Sequence, residues 1–176
     1  MTSPTKQRIQ DAARELFAAK GVQRTTLQEI ADVLGITKPA LYYHFASRED
    51  LVRSIVQPIV DGGEDFLDRM EALEGIERGE LLGAFFDFHY AYRRDILLLL
   101  TELSTLSDLG LIELVVRWRE RLTVLLLGPE PTLAQRARAV MALGGMQDIS
   151  TQFADVPAEE LRPIAVEAAL DVLRTG

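Results

Sequence analysis

Tyr42, Tyr43 and His44 stand in a row near the end of the stretch TLQEIADVLGITKPALYYHF, Thr26 to Phe45. Two phenolic hydroxyls and an imidazole can form hydrogen bonds, and their rings offer flat contact surface. Thr37, Lys38 and Ala40 come just before them, Thr25 lies further upstream, and Arg48 follows. These groups suit polar contact with phosphates and base edges. Ala40 is small enough for close approach and can touch a thymine methyl. Catalysis fits this chain poorly. It has no cysteine, only two histidines, His44 and His89, and no His–carboxylate spacing for a metal. No catalytic residue, metal site or cofactor is expected, so an enzyme is not expected.

The elements that must position these residues are helical. Ile9, Ala12, Ala13, Leu16 and Phe17 repeat at i, i+3, i+4, i+7 and i+8, one face of a helix that Ser3 and Pro4 open and Gly21 closes. Thr26 with Glu29 three residues on is a capping box. It predicts a helix with Leu27, Ile30, Ala31 and Leu34 inside, ended by Gly35. Thr37 caps the next helix, and Pro39 sits in its first turn. Leu41 and Phe45, four apart, share its inner face, which leaves Tyr42, Tyr43 and His44 outward. His44 has a second reading, as a helix-ending residue bonded to a nearby carbonyl. Ser47 with Asp50 predicts a fourth helix through Leu51, Ile55 and Ile59, kinked at Pro58 and weakened or interrupted at Gly62-Gly63. Beyond it, helices are predicted over roughly 64–74, 78–93, 95–106, 110–127, 132–153 and 158–174. The pattern contains no strand-like alternation, so the fold class is all-α. A three-helix helix-turn-helix domain, 1–50, is expected before a helical domain, 51–176.

Charge supports two parts with different partners. The formal net charge is −8, against the expectation for a protein that binds phosphates. Residues 1–53 nevertheless hold eight Lys/Arg and six Asp/Glu, and the remaining 123 residues hold eleven against twenty-one. Met1 to Gln10 is polar, unlike a signal peptide, and Ile96 to Leu100 is too short an apolar run to span a bilayer. A cytoplasmic protein without a membrane partner is expected.

The first fifty or so residues resemble the DNA-binding domain of the TetR family of transcriptional repressors. The resemblance rests on the A-x-x-L-F-x-x-x-G run from Ala13 to Gly21, on Thr25 to Ala31, on Leu34-Gly35-Ile36, on Pro39 to Phe45, and on Ser47 to Leu51. It covers about a third of the chain. The resemblance implies that Thr25, Gln28, Thr37, Lys38, Pro39, Ala40, Tyr42, Tyr43, His44 and Arg48 approach DNA. Gln28, Lys38 and Tyr42 are the candidates for base contacts, and Thr25, Tyr43, His44 and Arg48 for phosphate contacts. Arg48 stands where the family often has lysine, and both residues supply the positive charge.

The resemblance also implies a homodimer and a small-molecule effector. Residues of the last two helices, such as Val140, Met141, Gly144, Ile164 and Ala168, suit a four-helix interface between subunits or ordinary packing within one chain. For an effector, the candidates are Phe66, Met70, Phe86, His89, Tyr90, Glu102, Trp118 and Gln147, each of which can equally belong to the core. The expected function is a sequence-specific transcriptional regulator, a repressor on a palindromic double-stranded operator released by an effector of unknown identity. The alternatives are a regulator controlled by a protein partner or by its own concentration, and a small-molecule-binding protein with a vestigial DNA module.

Overall fold

The structure is a computed structural model, and it describes residues 4–100 and 110–174. Eight α-helices run through the described residues, with no strand among them. They are α1 (Pro4–Lys20), α2 (Leu27–Leu34), α3 (Lys38–His44), α4 (Arg48–Ala72), α5 (Arg78–Leu100), α6 (Leu111–Leu127), α7 (Leu133–Gln152) and α8 (Ala158–Arg174). None is long and apolar enough to cross a membrane.

The N-terminal helices begin and end where local chemistry requires. Thr26 accepts from the Glu29 amide, and the Glu29 carboxylate accepts the Thr26 N–H at 2.8 Å. Lys20 of α1 also reaches that carboxylate. The Lys20 ammonium and the Thr26 donors together hold Glu29 down at about 2. Gly35 takes a left-handed conformation, φ +65°, that costs a side chain steric energy. Its neighbour Ile36 then donates back to the Ala31 carbonyl at 3.0 Å, closing the helix end. Thr37 and Ser47 accept from the Ala40 and Asp50 amides and start α3 and α4 in the same way.

Two apolar clusters make the interior. The first joins Ile9, Ala13 and Phe17 of α1 with Ile30, Leu41, Phe45, Leu51 and Ile55. The second joins Phe66 and Leu67 of α4 with Leu81, Leu82, Phe85, Phe86, Leu122, Met146, Leu161 and Ala165. Helix α4 belongs to both and crosses positions 50 and 51 without a break. Helix α6 also spans both, since Leu111 and Leu114 enter the first cluster while Leu122 and Leu126 enter the second. Arg14 adds an ionic tie, its Nε 2.7 Å from Asp95 Oδ1 on α5.

Two expected helix breaks are absent. At Gly62-Gly63 the helix continues, and the glycines instead seat rings from other helices. A β-carbon on Gly63 would lie 2.1 Å from Trp118 Cη2, and one on Gly62 would lie 2.7 Å from Tyr92 Oη. Burial of Ile59, Phe66 and Leu67 on the same helix offsets the roughly 1 kcal/mol that each interior glycine costs. Arg121 further ties α6 to α4 by pairing with Glu64, Asp68 and Glu71. At Arg93-Arg94-Asp95 helix α5 also continues, to Leu100. Those charges find partners, Arg93 over the ring of Tyr90 on the same helix at 3.9 Å and Asp95 on Arg14 of α1. The remainder of the expected 95–106 helix lies outside the described residues.

Candidate nucleic-acid interface

Helix α3 turns Leu41 and Phe45 wholly inward, at 0% and 1% exposure, and leaves Tyr43 at 86%. Thr37, Lys38, Pro39 and Ala40 form its exposed leading end, and Gln28 is exposed on α2. The Lys38 ammonium stands 5.7 Å from the Tyr42 ring centroid, and Tyr43 meets His44 edge-on at 5.3 Å. Both contacts limit how freely these side chains swing, so part of their ordering is present before any partner arrives.

A groove of about 520 Å³ opens between the start of α2, the outer side of α3 and the start of α4. It gathers Thr25, Gln28, Lys38, Tyr42 and Arg48, with Glu49 at its edge. Arg48 donates to the Gln23 carbonyl and to Gln23 Oε1, both at 2.9 Å, which fixes its guanidinium against the turn before α2. Thr25 differs from the rest. It is 1% exposed and its hydroxyl donates inward to the Gly21 carbonyl at 2.9 Å. Asp32 was not among the sequence candidates, yet its Oδ1 accepts from Gln28 Nε2 at 2.7 Å. The signal for it was the four-residue spacing on one helix face.

The candidate effector residues fall into separate places. Phe66 stacks near Phe88 at 5.8 Å, and Phe88 meets Trp118 at 6.2 Å and His89 at 5.1 Å. His89 Nδ1 faces the Phe85 carbonyl at 3.1 Å, so that nitrogen carries the proton, and Nε2 accepts from Gln147 Nε2 at 2.7 Å. Gln147 Oε1 in turn accepts from Arg119 at 3.2 Å. Burial holds His89 down at about 4; the Phe85 carbonyl opposes this, and the nearby Arg119 charge adds to it. Trp118 Nε1 donates to Glu64 at 2.8 Å. Phe86 and Tyr90 lie elsewhere on α5, stacked at 5.5 Å, with the Tyr90 hydroxyl on the Val156 carbonyl at 2.7 Å. Phe66 and Met70 also border an open groove of about 880 Å³ between α4 and α5. Glu102 lies outside the described residues. Among the described residues no group of His, Cys, Asp or Glu is arranged to hold a metal.

Two short helices joined at Gly35, the second buried by one face and bare on the other, define a helix-turn-helix protein with an all-helical second domain. Residues 9–55 match the family model described as bacterial regulatory proteins, tetR family. Over 55 residues the chain is 38% identical to the HTH-type transcriptional regulator TtgR of Pseudomonas putida, covering 31% of this chain and 26% of that protein. Over 102 residues it is 38% identical to the HTH-type transcriptional regulator YerO of Bacillus subtilis, covering 55% of this chain and 35% of that one. The chain thus matches only about a quarter to a third of the length of these relatives. Similarity of fold extends further. The crystal structure of Mycobacterium smegmatis AmtR superposes with a TM-score of 0.77 at 22% identity, covering 99% of this chain and 88% of that one. A transcriptional regulator from Aquifex aeolicus does so at 0.74 and 22%, covering 96% and 99%.

Proposed function

We propose that this chain is a DNA-binding transcriptional regulator that works in the cytoplasm as a homodimeric repressor and leaves its operator when a small effector binds. The observation that carries the reading is the groove that joins Gln28, Lys38, Tyr42 and Arg48 beside the bare face of α3. Amide, ammonium, phenol and guanidinium on one surface match what phosphates and major-groove base edges offer. The concentration of basic residues in this domain explains how a chain of net charge −8 holds a polyanion. In a titration of labelled duplexes, Arg48→Ala should weaken binding to every sequence and lower the salt slope by about one phosphate contact. Gln28→Ala should instead relax preference at one position, at a cost of roughly 1–3 kcal/mol. Unchanged affinity after joint replacement of Tyr42, Tyr43 and Arg48 would sink the docking.

The dimer reading rests on α7 and α8. Leu133, Val140, Met141 and Ile164 are 77%, 59%, 65% and 62% exposed, and a β-carbon at Gly144 would meet nothing within 4 Å. Large apolar side chains gathered on one face of two neighbouring helices fit a second copy of the same face related by a two-fold axis. Two recognition helices on one rigid dimer then read half-sites about one helical turn apart. Met141→Asp should give a monomer in sedimentation velocity, with operator affinity reduced roughly tenfold or more because the two sites no longer bind as one. A stable dimer in that variant would place the interface elsewhere.

For the effector, the aromatic cluster of Phe66, Phe88 and Trp118 beside His89 and Gln147 supports an apolar or aromatic ligand with one or two polar handles. One observation favours the second reading, a regulator without a small ligand. The Trp118 ring is seated directly on Gly63 and fills the space between α4 and α6. Melting curves with a metabolite panel separate the two, since a ligand of the folded state raises the melting temperature.

A further inference from the structure

Gln23 is an exposed residue of the turn between α1 and α2, and that turn is braced from several sides. Val22 is buried in the first apolar cluster. The Gly21 and Thr25 amides donate to the Phe17 and Val22 carbonyls at 2.8 and 3.2 Å. The Thr25 hydroxyl closes on the Gly21 carbonyl at 2.9 Å. From this base Gln23 presents two oxygens to Arg48. Its main-chain carbonyl accepts from Nη1 and its Oε1 from Nη2, each at 2.9 Å. A third contact, from Nη2 to Glu49 Oε1, is 3.4 Å long and lies beyond the usual hydrogen-bond range.

A guanidinium carries five N–H donors. The Nε–H and one Nη1–H of Arg48 take no part in these contacts and are left for an outside acceptor. Both Gln23 oxygens are neutral, so they order the cation without cancelling its charge. A loose arginine loses rotamer freedom when it meets a phosphate, and one already held does not. We infer that Gln23 is a positioning residue, which holds the Arg48 guanidinium at the groove beside Lys38 and Tyr42 with its charge intact for a backbone phosphate. The inference rests on the reading of this groove as the DNA interface.

The test uses the full chain, Gln23→Met, Arg48→Ala and the double variant, on a duplex that the wild type enriches from a random pool. Methionine keeps the length of the side chain and offers only a weak acceptor. Gln23→Met should weaken binding roughly two- to tenfold per half-site, the cost of ordering one long side chain. Its salt slope should match the wild type, because the charge of Arg48 stays. Arg48→Ala lowers that slope, and Gln23→Met should add no further loss in the double variant. In the free protein, NMR relaxation of the Arg48 Nε–H should report a held guanidinium in the wild type and a mobile one in Gln23→Met. Unchanged affinity or an equally ordered Arg48 in Gln23→Met overturns the inference and leaves DNA binding intact. So does a lowered salt slope in Gln23→Met, or a loss that persists in the double variant, since Gln23 then acts other than through Arg48. A wild type that enriches no duplex, or an Arg48→Ala form that binds as the wild type does, removes the interface reading and this inference together. Thermal melts of each variant establish that every change in affinity comes from a folded protein.

Discussion

Phe86→Ala will destabilise the protein by about 3–5 kcal/mol, the range for removing a large ring from a packed interior. Phe86 is 0% exposed in the second apolar cluster, with Tyr90 stacked on one side at 5.5 Å. Deleting the ring removes its transfer free energy and leaves a cavity that helices pinned at several points close only in part. For a chain of this length the melting temperature should fall by on the order of 10 °C, measured by circular dichroism. The result bears on function because Phe86 is also a candidate effector contact. A residue kept only to touch a ligand can be truncated with little loss of stability in the ligand-free protein. An unchanged melting temperature would therefore return Phe86 to that role.

The second large effect is a loss of stability on mild acidification, caused by His89. Burial between Phe85 and Phe88 lowers its folded-state value to about 4, against 6.5 for an ordinary histidine. Above pH 6.5 the ring is neutral in both states and its contribution is complete. Below that, the unfolded chain takes up a proton that the folded protein refuses until about pH 4. Stability is thus lost as pH falls through this window, by up to ~3 kcal/mol at its lower end. Protonation would also remove the lone pair through which Nε2 accepts from Gln147. Urea unfolding at pH 7, 5.5 and 4.5 measures the slope. The value of about 2 for Glu29 places its titration below this window, so the upper part belongs to the histidine. His89→Gln cannot take up the proton, and it should flatten the curve between pH 6.5 and 4.5. If the variant keeps the wild-type slope, His89 is not its source.

The helix-turn-helix was legible because its determinants are near neighbours. Thr26 and Glu29 are three residues apart, Gly35 closes α2 on carbonyls three and four back, and Leu41 and Phe45 share a face by helical spacing. The exposure of Tyr43 follows from the inward turn of its neighbours. Thr25 shows where such reasoning stops. Its hydroxyl is turned inward because α1 packs over it, and nothing in the local pattern marks that. The pairing of Gln28 with Asp32 lay within reach, since the two are four residues apart on one helix, but only the structure shows that the pair forms.

The second domain was legible in class but not in assembly. Helix existence there follows from apolar periodicity, a property of one segment at a time. Whether Gly62-Gly63 breaks α4 depends on Tyr92 and Trp118, which arrive from α5 and α6. Whether Arg93 to Asp95 ends α5 depends on Arg14 of the first domain. In the same way, only packing divides the seven effector candidates within the described residues into an aromatic cluster by His89, a Phe86–Tyr90 stack and the wall of an open groove.

The sequence alone therefore determined the helices of the first domain, their caps and the face that meets solvent, because those hydrogen bonds and side-chain neighbours span five residues or fewer. Only the tertiary structure decided that α4 and α6 run through both cores, that Trp118 sits on Gly63 and that Arg14 holds Asp95. The last two contacts join residues 55 and 81 positions apart, and their energies exist only once the helices have packed.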